Sequence, residues 1–324
     1  TAKDTTYNGN ITVNGGILES TADYAIYHPH SGTTTINGGV VFGAAGGVSL
    51  NRGKLIVNDG IITSKGTGTT GDWGDGTGNQ NAAAINVNAQ YGSTSVEIKG
   101  GKITAEKDAI LLTNGKDGTI SVSGGTFSSA VKEEYCATGY IPKDNGDGTY
   151  GVKEGAYVAK VDNVKYETLQ AAIDAATAEQ TVTLLTNLDL SATGLTIAKD
   201  KAVTLDLNGK TLKLANTNSG NIKVVGKLTL QDSTDTAKNG TGTGKVWTET
   251  PYISGKQDKV LIAAIDGGTF VMESGLIDAA SFTADNTNEG QFAVSVQNEN
   301  ADATVIINGG LIKAGLCALA GHGP

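Results

Sequence analysis

The sequence predicts an all-β fold: a right-handed parallel β-helix (a solenoid) in two blocks, the second capped by a short amphipathic α-helix. Three observations predict it. First, one phrase recurs at residues 11–18, 35–41, 55–62, 96–103, 120–127 and 305–312: an alternating apolar run, a short turn ending in Gly, and a second apolar run. Second, the turn positions 14, 37, 58, 99 and 123 are 23, 21, 41 and 24 residues apart. A period of about 20–24 residues with no helix inside it marks stacked β-coils. The gap of 41 fits two coils, the intervening one carrying an insertion. Third, a further apolar run sits between the turns, at 25–27, 47–50, 83–87 and 109–112, which makes each coil three short strands.

In the first block, residues 1–130, each strand is expected to pair with its equivalent one coil on, so that inward aliphatic side chains stack like with like. Asn-Gly and Gly-Gly supply the positive φ that a sharp corner needs, and Asn14, Asn37, Asn58 and Asn308 are candidates to stack at such corners. Residues 131–158 break the pattern. Here Asp147-Gly148, flanked by Tyr140, Ile141, Tyr150 and Val152, reads as a β-hairpin that terminates the block. The second block, 159–324, opens with the one helical pattern, at about 165–177. Leu169, Ala172, Ile173 and Ala176 share its apolar face, and Thr168 is placed to cap it. Such a helix covers strand edges and core that an open solenoid end leaves exposed. Strands follow at 181–185, 195–197, 202–207, 210–214, 222–225, 228–230, 260–263, 270–272 and 292–296.

Composition narrows the function classes. The chain has 46 Gly among 324 residues but only 4 Pro and 5 Phe, a usage that suits a disordered linker except for its regular Val/Ile/Leu alternation. Net charge is −9, and Arg52 is the single arginine among 24 basic residues, which argues against nucleic-acid recognition. No apolar run is long enough to span a membrane, and no signal peptide opens the chain. Starting at Thr1 almost inside a repeat, and stopping at Gly321-His322-Gly323-Pro324 in mid-coil, it reads as a fragment of a longer repetitive protein. Cys136 and Cys317 are far apart and lack metal-ligand spacing; each is expected to be a small buried or half-buried side chain.

Residues 163–174 (NVKYETLQAAID) followed by 203–212 (VTLDLNGKTL) resemble the pectate-lyase-like β-helix segments of large surface proteins of gut Firmicutes-type bacteria. Residues 124–129, 139–140 and 145–150 resemble the way such blocks end, and similar repeats occur in phage fibres. The resemblance implies an extracellular setting, at a bacterial cell surface or secreted, with a virion as the alternative. It bears on fold and habitat rather than on an activity.

Polysaccharide lyases and glycoside hydrolases share this fold, so carboxylate clusters are the features to weigh. A lyase needs a carboxylate cluster for Ca²⁺ and a strong base. Arg52 lies in the turn Asn51-Arg52-Gly53 with no Asp cluster at coil-equivalent positions. Gly321-His322-Gly323 matches a hydrolase triplet by letters alone. An enzymatic reading would require three or more of Asp206, Asp232, Asp266 and Lys223 to converge on one cleft. Asp72 with Asp75, and Asp144 with Asp147, invite Ca²⁺, but neither loop follows a known Ca²⁺ spacing, so no cofactor is expected. Two imidazoles in Tyr27-His28-Pro29-His30 lack a third ligand and read as a polar loop between coils.

The two tryptophans are the most suggestive feature. Trp73, with Asp72 and Asp75, falls in one long insert, and Trp247, with Tyr252, in another spanning 232–258. Loops on a rigid solenoid are where binding residues concentrate, and an aromatic ring beside Asp or Asn can stack on a sugar and bond its hydroxyls. The alternative is that each indole folds back to pin its own loop. The expected function is a non-enzymatic extracellular stalk or adhesin module that presents loops to a glycan or a host surface.

Overall fold

A computed structural model of the chain describes residues 8–65, 83–113, 118–178, 180–215, 217, 220–249, 259–279, 291–297, 301–314 and 317–322. Two compact units emerge, Thr1–Ala156 and Tyr157–Pro324. Each is a parallel β-helix with three faces.

In the first unit, one face stacks Ile11–Val13, Thr33–Ile36, Gly53–Val57, Thr94–Ile98 and Gly118–Val122 in parallel. A second stacks Ile17–Ser20, Val40–Gly43, Ile61–Ser64, Lys102–Thr104 and Thr126–Phe127. The third stacks Tyr24–His28, Gly46–Leu50, Ile85–Val87 and Ile110–Leu112. Alternation sends every second side chain inward, where register makes columns such as Ile36–Val57–Ile98–Val122, all fully buried. Each such aliphatic residue contributes about 1.5–3 kcal/mol by leaving water.

The 41-residue gap is one coil, not two. Leu55 lies directly opposite Val96, so the additional residues enter between Ser64 and Ile85 without adding a rung. Extra chain between two rungs is tolerated because closure entropy grows only slowly with loop length.

At the corner between the first two faces, the last residue of each turn is a glycine that carries the positive φ: Gly16, Gly39, Gly60, Gly101 and Gly125. Beside it, Asn37 Nδ2 donates to Asn14 Oδ1 at 2.8 Å and Asn58 Nδ2 to Asn37 Oδ1 at 2.7 Å. Asn308 belongs to the other unit and donates instead to Glu273 Oε1 at 2.7 Å. Replacing Asn37 with Leu removes both ladder bonds, but water can reach the stranded partners. The expected loss is about 1 kcal/mol, read as a lower urea midpoint at unchanged slope.

The hairpin Tyr140–Asp144/Tyr150–Glu154 joins the second face antiparallel, with Phe127 opposite Tyr150. Together with a 3₁₀ turn at Glu133–Tyr135, it brings Val131, Tyr135 and Ile141 into burial.

The second unit begins with an antiparallel pair, Ala159–Val161 and Val164–Tyr166, turning at Asp162 with φ 51. The helix is therefore shorter than the sequence pattern, Leu169–Ala175; its expected first residues are spent in a strand. Thr168 Oγ1 accepts from Ala171 N at 3.1 Å, and Lys201 Nζ donates to the carbonyls of Asp174 and Ala176 at 2.5 and 3.0 Å, closing both helix ends. Leu169, Ala172, Ile173 and Ala176 are all buried.

Parallel coils follow. The first face runs Thr181–Leu184, Ala202–Asp206, Lys227–Gln231, Thr269–Met272 and Thr304–Ile307. The second runs Leu188–Asp189, Thr211–Lys213, Lys245–Trp247, Leu276–Ala279 and Leu311–Ala314. The third runs Leu195–Ile197, Ile222–Val224, Lys259–Ile265, Gln291–Gln297 and Cys317–His322.

Candidate functional site

Trp247 is not in a projecting loop. It ends the strand Lys245–Trp247, which pairs with Thr211–Lys213 on one side and Leu276–Ala279 on the other. Val246, fully buried, stacks between Leu212 and Ile277, so alternation turns Lys245 and Trp247 outward. Sequence reasoning missed this strand because a three-residue rung with one inward Val carries too little alternation to register.

Outward residues on this face line up as Asp189–Lys213–Trp247–Asp278–Lys313. The half-buried indole lies under two ammonium groups: Lys245 Nζ is 4.9 Å and Lys213 Nζ 5.7 Å from its centroid, within cation–π range. Lys213 also pairs with Asp189 at 3.2 Å and with Glu249. Hydrogen bonds from Ser191, and then from Lys213, hold the Asp189 carboxyl at about 2. Bonding to Glu249 and then Asp189 raises the Lys213 ammonium above its ordinary value. The indole Nε1 is buried and has no hydrogen-bond partner among the described residues. A ring edge framed by fixed ammonium and carboxylate groups is suited to a polyhydroxylated ligand, whose hydroxyls both donate and accept. Trp73, Asp72, Asp75 and Tyr252 lie outside the described residues.

No protein-family model matches the chain, and neither a curated protein nor a solved structure matches it.

The acidic residues at coil corners are occupied in structure. Asp232, 1% exposed, accepts from Gly209 N (2.9 Å), Thr234 N (3.2 Å), Thr234 Oγ1 (2.7 Å) and Gly244 N (2.8 Å). Asp235, also buried, accepts from Asn239 N, Gly240 N and Gly275 N. Burial opposes its ionisation, but backbone N–H groups led by Gly275 and Gly240 outweigh burial and hold its carboxyl below the usual range. The segment 232–244 is thus folded down around two carboxylates rather than projecting. Asp235 was missed by sequence reasoning; the signal was the spacing Asp232-Ser-Thr-Asp235, typical of side chains that bond their own backbone.

Asp206 Oδ1 accepts from Asn208 N and Ser233 N, so Asp206 and Asp232 meet at the corner between the first and second faces. Asp266, with φ 51, turns the chain from the third face to the first, and Lys223 sits on the third-face strand Ile222–Val224. Asp206 and Asp232 share one corner, while Asp266 and Lys223 lie elsewhere on the coil, so no three of the four converge on one cleft.

Asp144 and Asp147 accept from the backbone of their own hairpin turn, Gly146 N at 2.8 Å and Thr149 N at 3.0 Å. Hydrogen bonds from the Thr149 hydroxyl and backbone lower the Asp147 carboxyl. Among the described residues, no group of three or more His, Cys, Asp or Glu is placed to hold a metal ion. Cys136, half-buried, and Cys317, exposed, are free thiols.

His28 departs from its expected place. Rather than lying in a polar loop, it closes the strand Tyr24–His28 with 0% exposure, in register with Leu50. Nearby, an open groove of about 540 Å³ on the first unit is lined by hydroxyls of Ser31, Ser95 and Thr119 beside Lys54. Lys54 is itself paired with Glu97 at 2.5 Å.

Proposed function

We propose that this chain is a structural module of an extracellular bacterial surface protein, whose β-helical units hold binding features on rigid ladders, with a glycan as ligand and Trp247 as a principal contact. The observation that carries this reading is the row Asp189–Lys213–Trp247–Asp278–Lys313, an aromatic ring set among charges whose spacing is fixed by backbone pairing. Pre-set geometry of this kind lowers the ordering cost of binding. The likeness of residues 163–174 and 203–212 to pectate-lyase-like surface segments supports the extracellular setting. The engagement of Asp206 and Asp232 by backbone amides favours a presenting module over a lyase or hydrolase. Among the described residues no helix is long and apolar enough to cross a membrane.

A glycan array probed with the full chain tests this. Trp247→Ala is expected to weaken the strongest signals about tenfold, equivalent to about 1.4 kcal/mol, while Trp247→Phe retains most of the binding. Equal binding by all three proteins removes the tryptophan from the site, and silence from the wild type removes the glycan.

A further inference from the structure

We propose that the buried imidazole of His28 makes the first coil of the first unit an acid-sensitive element, closed at neutral pH and opened when that ring takes up a proton. His28 occupies an interior column whose other members are Leu50, Val87 and Leu112. It is wholly buried there. Its Nδ1 lies 2.7 Å from the hydroxyl of Thr34, which is itself fully buried. The ring of His30 stands with its centroid 4.6 Å away, tilted by 53°. A neutral ring suits an aliphatic column, whereas a charged one must lose its water and face a like charge.

The elements packed on Tyr24–His28 are Gly46–Leu50, Val40–Gly43 and Ile17–Ser20. Of these only the last holds an ionisable residue, Glu19. It stands in register with Phe42, and alternates with Leu18, which shares its inward column with buried Val41. The strand's own Tyr24 bonds Asn86, and the adjoining Asp23 accepts from Tyr24 N. Thr33–Ile36, which carries Thr34, has no charged side chain. None of these groups is bonded to the ring, so none is placed to stabilise an imidazolium.

Burial, and then the charge of His30, hold the His28 pKa below its ordinary 6.5, against a smaller opposite effect of the His30 and Gly32 backbone. The sign follows. Above about 6.5 both the closed and the opened coil are neutral at His28, and closure is insensitive to pH. As pH falls through that value the opened form takes the proton first. Closure then weakens until the depressed folded value is reached, by about tenfold for each unit of depression.

The test is hydrogen exchange on the full chain, corrected for the intrinsic rate, with imidazole titration by NMR. Between about pH 7.5 and about pH 5, protection at residues 26–28 and 34–36 is expected to fall, while the column Leu205–Leu230–Met272 of the other unit keeps its protection. His28→Leu, which matches its column neighbours, is expected to abolish the loss. His28→Gln, neutral and still able to bond Thr34, serves if the leucine variant fails to fold. The idea is overturned by His28 titrating at or above its ordinary value, by unchanged protection in the wild type, or by an acid response surviving in the folded variant.

Discussion

Asp232→Ala is expected to destabilise the second unit by about 3 kcal/mol or more, since a buried donor left without its acceptor costs about 1–3 kcal/mol. Four donors from Gly209, Thr234 and Gly244 lose their common acceptor at once. Asp232→Asn separates shape from chemistry. An amide offers one acceptor oxygen and one donor nitrogen, so whichever way it sits, an N–H group opposes an N–H group. The asparagine variant is therefore expected to recover less than half of the loss. Hydrogen exchange would read the effect locally, as lost protection at Gly209, Gly244 and the Ser274-Gly275 turn that bonds the same loop. An alanine variant as protected as the wild type would show that water takes over these donors and that the carboxylate is dispensable.

Phe270→Ala is expected to be the costliest change in the interior, about 3–5 kcal/mol. Phe270 is fully buried in the column Val203–Leu228–Phe270–Val305, and it is the one aromatic ring there. Neighbours in a solenoid are held by backbone pairing at fixed rung spacing and cannot collapse into the space a phenyl ring leaves. Phe270→Leu keeps most of the volume and is expected to cost less than half as much. Urea unfolding followed at two wavelengths would report it, as a midpoint shift confined to one transition if the two units melt separately. A shift equal for both substitutions would mean that the site repacks.

These cases show which parts of the molecule were legible in the sequence. The columns were, because β-solenoid stacking repeats an alternation of Val, Ile and Leu that is visible at Ile11–Val13, Thr94–Ile98 and Ala202–Asp206. Glycine at the corners was equally plain, since Gly16, Gly39 and Gly101 hold positive φ. Three features were not. The extra length before Ile85 imitated an additional coil, because spacing counts residues and pairing does not. Trp247 sat in a rung too short to alternate. His28, next to Pro29 and among polar neighbours, had nothing in its local pattern to indicate burial; only the register with Leu50 places it inside. In the second unit the helix began late, because Asp162 and Asn163 form a tight turn whose second strand, Val164–Tyr166, borrowed residues from the helical pattern.

The insertion before Ile85 has a consequence for how such a molecule can vary. Because Gly53–Val57 meets Thr94–Ile98 rung on rung despite the detour between them, the ladder does not record how much chain was used to return to it. Each unit behaves like a ruler graduated in whole coils of about 4.8 Å. Its divisions stay fixed while attachments at the corners lengthen or shrink, so reach along the axis and decoration around it can be altered separately.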